Sequence, residues 1–118
     1  MNSMTPQDSN SGGEVFQISP AELQVKLKSA HPPFLLDVRE PFEYELANLN
    51  GILIPVGEIE ERLDELPRDR EIVVYCHHGG RSHYAAELLK QAGFKWLFNL
   101  DGGIDAWSCE VDPTLRRY

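Results

Sequence analysis

Ile72-Val73-Val74-Tyr75-Cys76-His77-His78-Gly79-Gly80-Arg81-Ser82 is the stretch on which the fold of this chain turns. Three β-branched residues and a tyrosine in an unbroken run suit a short strand buried on both faces, as in the middle of a parallel sheet. The segment that follows then lies at the strand's carboxyl end, where open α/β sheets bind their ligands. Gly79 and Gly80 allow the chain to curl with several N–H groups pointing inward, a nest for an anion. Ala85, Ala86, Leu88, Leu89 and Ala92 then recur at helical spacing up to Gly93, a fitting C′ residue, so the loop caps a helix N-terminus. Nest and helix dipole both favour Cys76 as a thiolate.

Outward from this loop the chain alternates between the two periods. A short strand is expected over Val15 to Ile18. Ser19-Pro20-Ala21-Glu22 follows as a helix start, with a Ser cap, Pro at the first helical position and Glu three residues after the cap. That helix should reach about Ser29, before His31-Pro32-Pro33. Phe34 to Val38 reads as a central strand carrying Asp37 near its exit. On the residues alone, Asp37 bonds the following turn and Arg39 pairs with surface acids such as Glu43. Glu40 to Leu46 suits a short helix, and Ile52 to Ile54 a short strand. Ile59, Leu63 and Leu66 predict an amphipathic helix stopped by Pro67. Trp96 to Leu100 reads as another buried strand, and Asp101-Gly102-Gly103 turns it into a segment ending at Trp107. The tail from Cys109 to Tyr118 is expected on the surface. Residues 1–13 are polar and small and read as a flexible tail, so the domain should occupy residues 14–118. Strands alternating with helices predict an α/β fold, a parallel sheet with helices on both faces.

A chain of 118 residues fits one such domain and no second one. Its net charge of −8 argues against nucleic acid as a partner, since phosphate binding needs clustered Lys and Arg. No apolar run approaches the roughly 18 residues of a membrane span. The two cysteines are too few for a disulfide scaffold, and the first residues carry neither a basic nor an apolar leader region, so a reducing, cytoplasmic setting is expected.

Three segments together resemble the single-domain rhodaneses, a family of sulfurtransferases. They are Leu35-Leu36-Asp37-Val38-Arg39-Glu40-Pro41 with Phe42-Glu43-Tyr44-Glu45, the Cys76 loop, and Asn99-Leu100-Asp101-Gly102-Gly103-Ile104-Asp105-Ala106-Trp107. The resemblance implies a central parallel five-stranded sheet and a Cys76 persulfide. It also implies a substrate-binding loop of His77, His78, Gly79, Gly80, Arg81 and Ser82, with Asp37 and Arg39 as supports behind it. The substrates implied are a small sulfane-sulfur donor, such as thiosulfate or a persulfide, and an acceptor: cyanide, a thiol or a protein thiol. Where many relatives carry Gly-His-Ile-Pro-Gly-Ala, this chain has Ala47-Asn48-Leu49-Asn50-Gly51-Ile52, so no function passes to Asn48.

The residues agree with that chemistry. A persulfide is an anion that loop N–H groups and the Arg81 guanidinium would stabilise, without metal or organic cofactor. As a bare free thiol Cys76 would be one more small buried hydrophobe, and the glycine-rich sequel argues against that. A metal site of Cys76, His77 and His78 lacks the separated spacing and fourth ligand of zinc motifs. The two histidines are expected to shape the pocket mouth and, when protonated, to attract an anionic donor. Cys109 as a resolving thiol is the less favoured reading. Two rival functions remain: a non-catalytic interaction module, and a phosphatase or arsenate reductase. The second is disfavoured because such loops separate Cys from Arg by five residues, and here the separation is four.

Overall fold

The computed structural model describes residues 14–118; the tail expected over residues 1–13 lies outside the described residues. Five strands form one parallel sheet: β1 (Val15–Ile18), β2 (Phe34–Asp37), β3 (Ile52–Leu53), β4 (Ile72–Tyr75) and β5 (Leu97–Leu100), in the order β1-β5-β4-β2-β3. β4 is central, and all four of its residues are buried, as their unbroken apolar character requires. Four α-helices cover the sheet: α1 (Pro20–Leu27), α2 (Pro41–Leu46), α3 (Gly80–Gln91) and α4 (Gly103–Glu110).

Alternation along the strands divides the core into two layers. Leu36, Ile72, Val74, Cys76 and Leu97 pack on one face with Ala85, Ala86 and Leu89 of α3 and with Ile59 and Leu66. Val73, Tyr75, Ile18 and Leu100 pack on the other with Leu23 of α1 and Ile104 and Trp107 of α4. Helices therefore lie on both faces. The Ser19 capping box forms as expected, the Ser19 side chain accepting from the Glu22 N–H and the Glu22 carboxylate from the Ser19 N–H.

One expectation needs correction. The amphipathic helix drawn through Ile59, Leu63 and Leu66 is instead a pair of 3₁₀ segments, Val56–Glu61 and Leu63–Glu65, parted at Arg62. The apolar spacings of three, Val56 to Ile59 and Leu63 to Leu66, fit a three-residue turn as well as an α-helix. Five acids in ten residues repel one another in a tight coil, and Arg62 holds two of them, Glu58 and Glu65. The tail lies on the surface as expected, each residue of 109–118 being exposed or half-buried. α4 runs through Cys109 to Glu110, and Tyr118 returns to the carboxyl end of the sheet, where it packs on His77.

Candidate functional site

The loop from Cys76 to Ser82 leaves the carboxyl end of the central strand and runs directly into α3. Gly79 takes a left-handed conformation (φ +112°) as the N-cap, and Gly80 is the first helical residue. This bend aims two backbone N–H groups at the Cys76 sulfur, Gly79 at 3.1 Å and Ser82 at 3.4 Å, with the Ser82 hydroxyl oxygen at 3.3 Å. The sulfur thus sits in a cradle of donors at a helix N-terminus, at the floor of the loop; the residue is only 1% exposed.

α4 fixes the start of the loop. Its first residues donate Ile104 N–H to the Cys76 carbonyl (2.9 Å) and Asp105 N–H to that of His77 (3.1 Å). Such an approach requires glycine at position 103: its φ is +65°, and a Cβ there would lie 2.3 Å from the His77 carbonyl oxygen. Gly103 is thus a site residue whose reason lies in a segment it meets only in the fold.

Arg81 was expected to stabilise the loop's anion through its guanidinium. It forms a two-pronged ion pair with Glu43 of α2, at 2.7 and 3.0 Å. That bond, first among several causes, holds the Glu43 carboxyl down at about 2, so it stays ionised at physiological pH. Arg81 therefore tethers the loop to α2 while keeping its positive charge beside it. The pairing of Arg39 with the Glu43 carboxylate is corrected. Arg39 and Asp37 are both fully buried and bond each other at 2.9 and 2.7 Å. The rest of the Arg39 fork donates to the carbonyls of Ala47 and Glu43 and to the Tyr118 hydroxyl.

Sequence reasoning missed Tyr118. Its hydroxyl accepts from Arg39 (2.8 Å) and donates to Glu43 (2.9 Å), and its ring stacks on His77 with centroids 3.9 Å apart. Only the lone aromatic residue of the tail hinted at this. The stacking changes the reading of the histidines, because burial, and after it the nearness of His78, lowers the pKa of His77 and works against its protonation. His78 remains largely exposed and faces Asp105 at 3.8 Å.

His77, His78 and Asp105 bring ligand atoms within 4.8 Å of one another. The imidazoles are stacked with only 28° between their planes, which sends their in-plane lone pairs side by side, and Arg117 holds both Asp105 oxygens at 2.9 and 3.2 Å. Cys109 is exposed on the last turn of α4, the end away from the loop, a placement ill suited to relaying sulfur from Cys76. A surface cleft of about 770 Å³ opens at the amino ends of the strands beside Val25, Arg70 and Trp96, opposite the cysteine loop.

A model of the rhodanese-like domain matches residues 19–110, from the cap of α1 to the end of α4. The chain belongs to the rhodanese-like domain family. Among curated relatives, "Probable adenylyltransferase/sulfurtransferase MoeZ" of Mycobacterium tuberculosis is 40% identical over 86% of this chain, which spans only 26% of that protein. A "Sulfurtransferase" of Allochromatium vinosum is 35% identical over 86% of this chain and 95% of its own length. A rhodanese-related protein from Thermoplasma volcanium superposes with a TM-score of 0.74 at 38% identity, covering 81% of this chain and 93% of that one. This rhodanese-like domain thus shares its architecture with proteins of its own size and with a segment of larger ones. Among the described residues, no helix is long and apolar enough to cross a membrane.

Proposed function

We propose that this domain is a sulfurtransferase of the thiosulfate sulfurtransferase class, with Cys76 as nucleophile and sulfur carrier. The observation that supports this most is the cradle around the Cys76 sulfur, two N–H groups at a helix N-terminus with no acidic side chain bonded to the sulfur. The names of the MoeZ and Allochromatium relatives support sulfur transfer in general.

In the first half-reaction the Cys76 thiolate attacks the outer sulfur of thiosulfate. A new S–S bond forms, the donor's S–S bond breaks, and sulfite departs with the electron pair, leaving Cys–S–S⁻. In the second, cyanide or an acceptor thiolate attacks the outer persulfide sulfur, and Cys76 leaves as thiolate with thiocyanate or a new persulfide as product. Charge and electrons balance at both steps, so the chemistry calls for no cofactor or metal. The loop amides from His77 to Ser82 hold the anion, Arg81 tethers the loop and supplies positive potential, Asp37 and Arg39 brace it, and His77 and His78 line its mouth. A protein thiol is a suitable acceptor in the cell, and a reducing cytoplasm suits two unpaired cysteines.

The test compares one preparation with two substrates. Thiosulfate with cyanide should give thiocyanate, and an aryl phosphate should give no phosphate, because four residues between Cys76 and Arg81 enclose too little room for a tetrahedral ester. Cys76-dependent phosphate release without sulfur transfer would assign the loop to the other chemistry.

A further inference from the structure

Ser82, which touches the Cys76 sulfur, has a second partner that the proposed chemistry does not use. Asn99 is the penultimate residue of β5, on the α3 face of the sheet, in register with Val74, two residues before the cysteine. It is 3% exposed. Its Nδ2 lies 3.2 Å from the Gly79 carbonyl and 3.2 Å from Gln17 Oε1. A carbonyl can only accept, so the amide nitrogen must face Gly79, and Oδ1 is thereby turned to the Ser82 hydroxyl at 2.5 Å. Amide oxygen has no proton to give. The single proton between these two atoms is therefore the serine's, and Ser82 Oγ presents a lone pair, not a proton, to the sulfur 3.3 Å away.

That direction distinguishes the states of Cys76. A thiol can donate its S–H to the waiting Oγ, completing a chain from sulfur to Ser82 to Asn99. A thiolate in the same place meets the lone pair, and gains the hydroxyl hydrogen bond only if Ser82 swings its proton away from Asn99. In a persulfide the charge lies on the outer sulfur, one bond further from Oγ. We infer that Asn99 is a positioning residue which, by holding the Ser82 proton, withholds one hydrogen bond from the unloaded Cys76 thiolate and leaves more of the loop's anion preference to the loaded persulfide. This rests on the proposed sulfur transfer for its purpose, while the proton direction stands on the hydrogen bonds alone.

The test reads the thiolate directly, by its ultraviolet absorbance, in the Cys109→Ser background at one pH where the parent is mostly thiol. Asn99→Leu removes the acceptor with little change of volume. It costs the Gly79 carbonyl only one of two partners, since the His83 N–H still donates to it. The freed Ser82 proton then turns to sulfur, and the thiolate signal should rise about tenfold, the usual scale for one hydrogen bond to an anion. Asn99→Asp loses the same Nδ2 donors but keeps an oxygen for Ser82, so its signal should not rise. In a Ser82→Ala background Asn99→Leu should change nothing. A rise in both Asn99 variants would mean that simple loosening of the loop is responsible, and would overturn the inference. So would an unchanged signal in Asn99→Leu, or a rise that persists without Ser82. Should Asn99→Leu fail to fold, Asn99→Ala makes the same comparison. Because absorbance needs no donor or acceptor, an inactive wild type would refute the proposed reaction and leave this result readable.

Discussion

Cys76→Ser should fold as the wild type does and lose sulfur transfer from thiosulfate to cyanide by a factor on the order of 10³ or more, the scale seen when a nucleophile is removed. Oxygen at this position cannot form the sulfur–sulfur bond on which both half-reactions depend. Serine is slightly smaller than cysteine, and its hydroxyl would meet the Gly79 and Ser82 N–H groups that now point at sulfur, so the loop should persist. Urea unfolding of the variant should give a midpoint close to wild type. Turnover within tenfold of wild type would remove Cys76 from the chemistry.

Arg39→Leu should have the largest effect on stability, a loss of about 3–5 kcal/mol, because it strands a buried carboxylate. Asp37 is 0% exposed, and its two oxygens are paired by the Arg39 fork. The same guanidinium satisfies the Ala47 and Glu43 carbonyls at the end of α2 and the Tyr118 hydroxyl, so one substitution unpairs groups from three segments. Against the 5–15 kcal/mol that holds a typical domain together, such a loss leaves a large unfolded fraction on mild warming. Equilibrium urea unfolding measures it. A loss below about 1 kcal/mol would mean that the ion pair does not brace the loop.

How much of this was legible in the sequence follows from how local each cause is. The buried run of β4, the Ser19 capping box and the glycine bend at Gly79 are encoded within a few residues, and each was readable. The 3₁₀ segments around Arg62 were misread because apolar spacing alone does not separate a three-residue period from 3.6 over so short a span. Partners distant in the chain were invisible. Arg81 finds Glu43 38 residues away and Tyr118 finds it across 75, and neither side chain carries a local mark of its mate. Asn99 reads in sequence as a polar interruption of a strand, and only the register of β5 against β4 shows that it stands beside the cysteine loop.

Cys76 is proposed to carry sulfur as a persulfide held by the loop. Intact-protein mass spectrometry after brief exposure to thiosulfate and removal of excess donor tests it most directly. The prediction is a mass increase of one sulfur atom per chain, located on the peptide containing Cys76, retained in Cys109→Ser, absent in Cys76→Ser and discharged by cyanide. A sulfur adduct that maps to Cys109, or no adduct on a folded protein that still turns over thiosulfate, would contradict it.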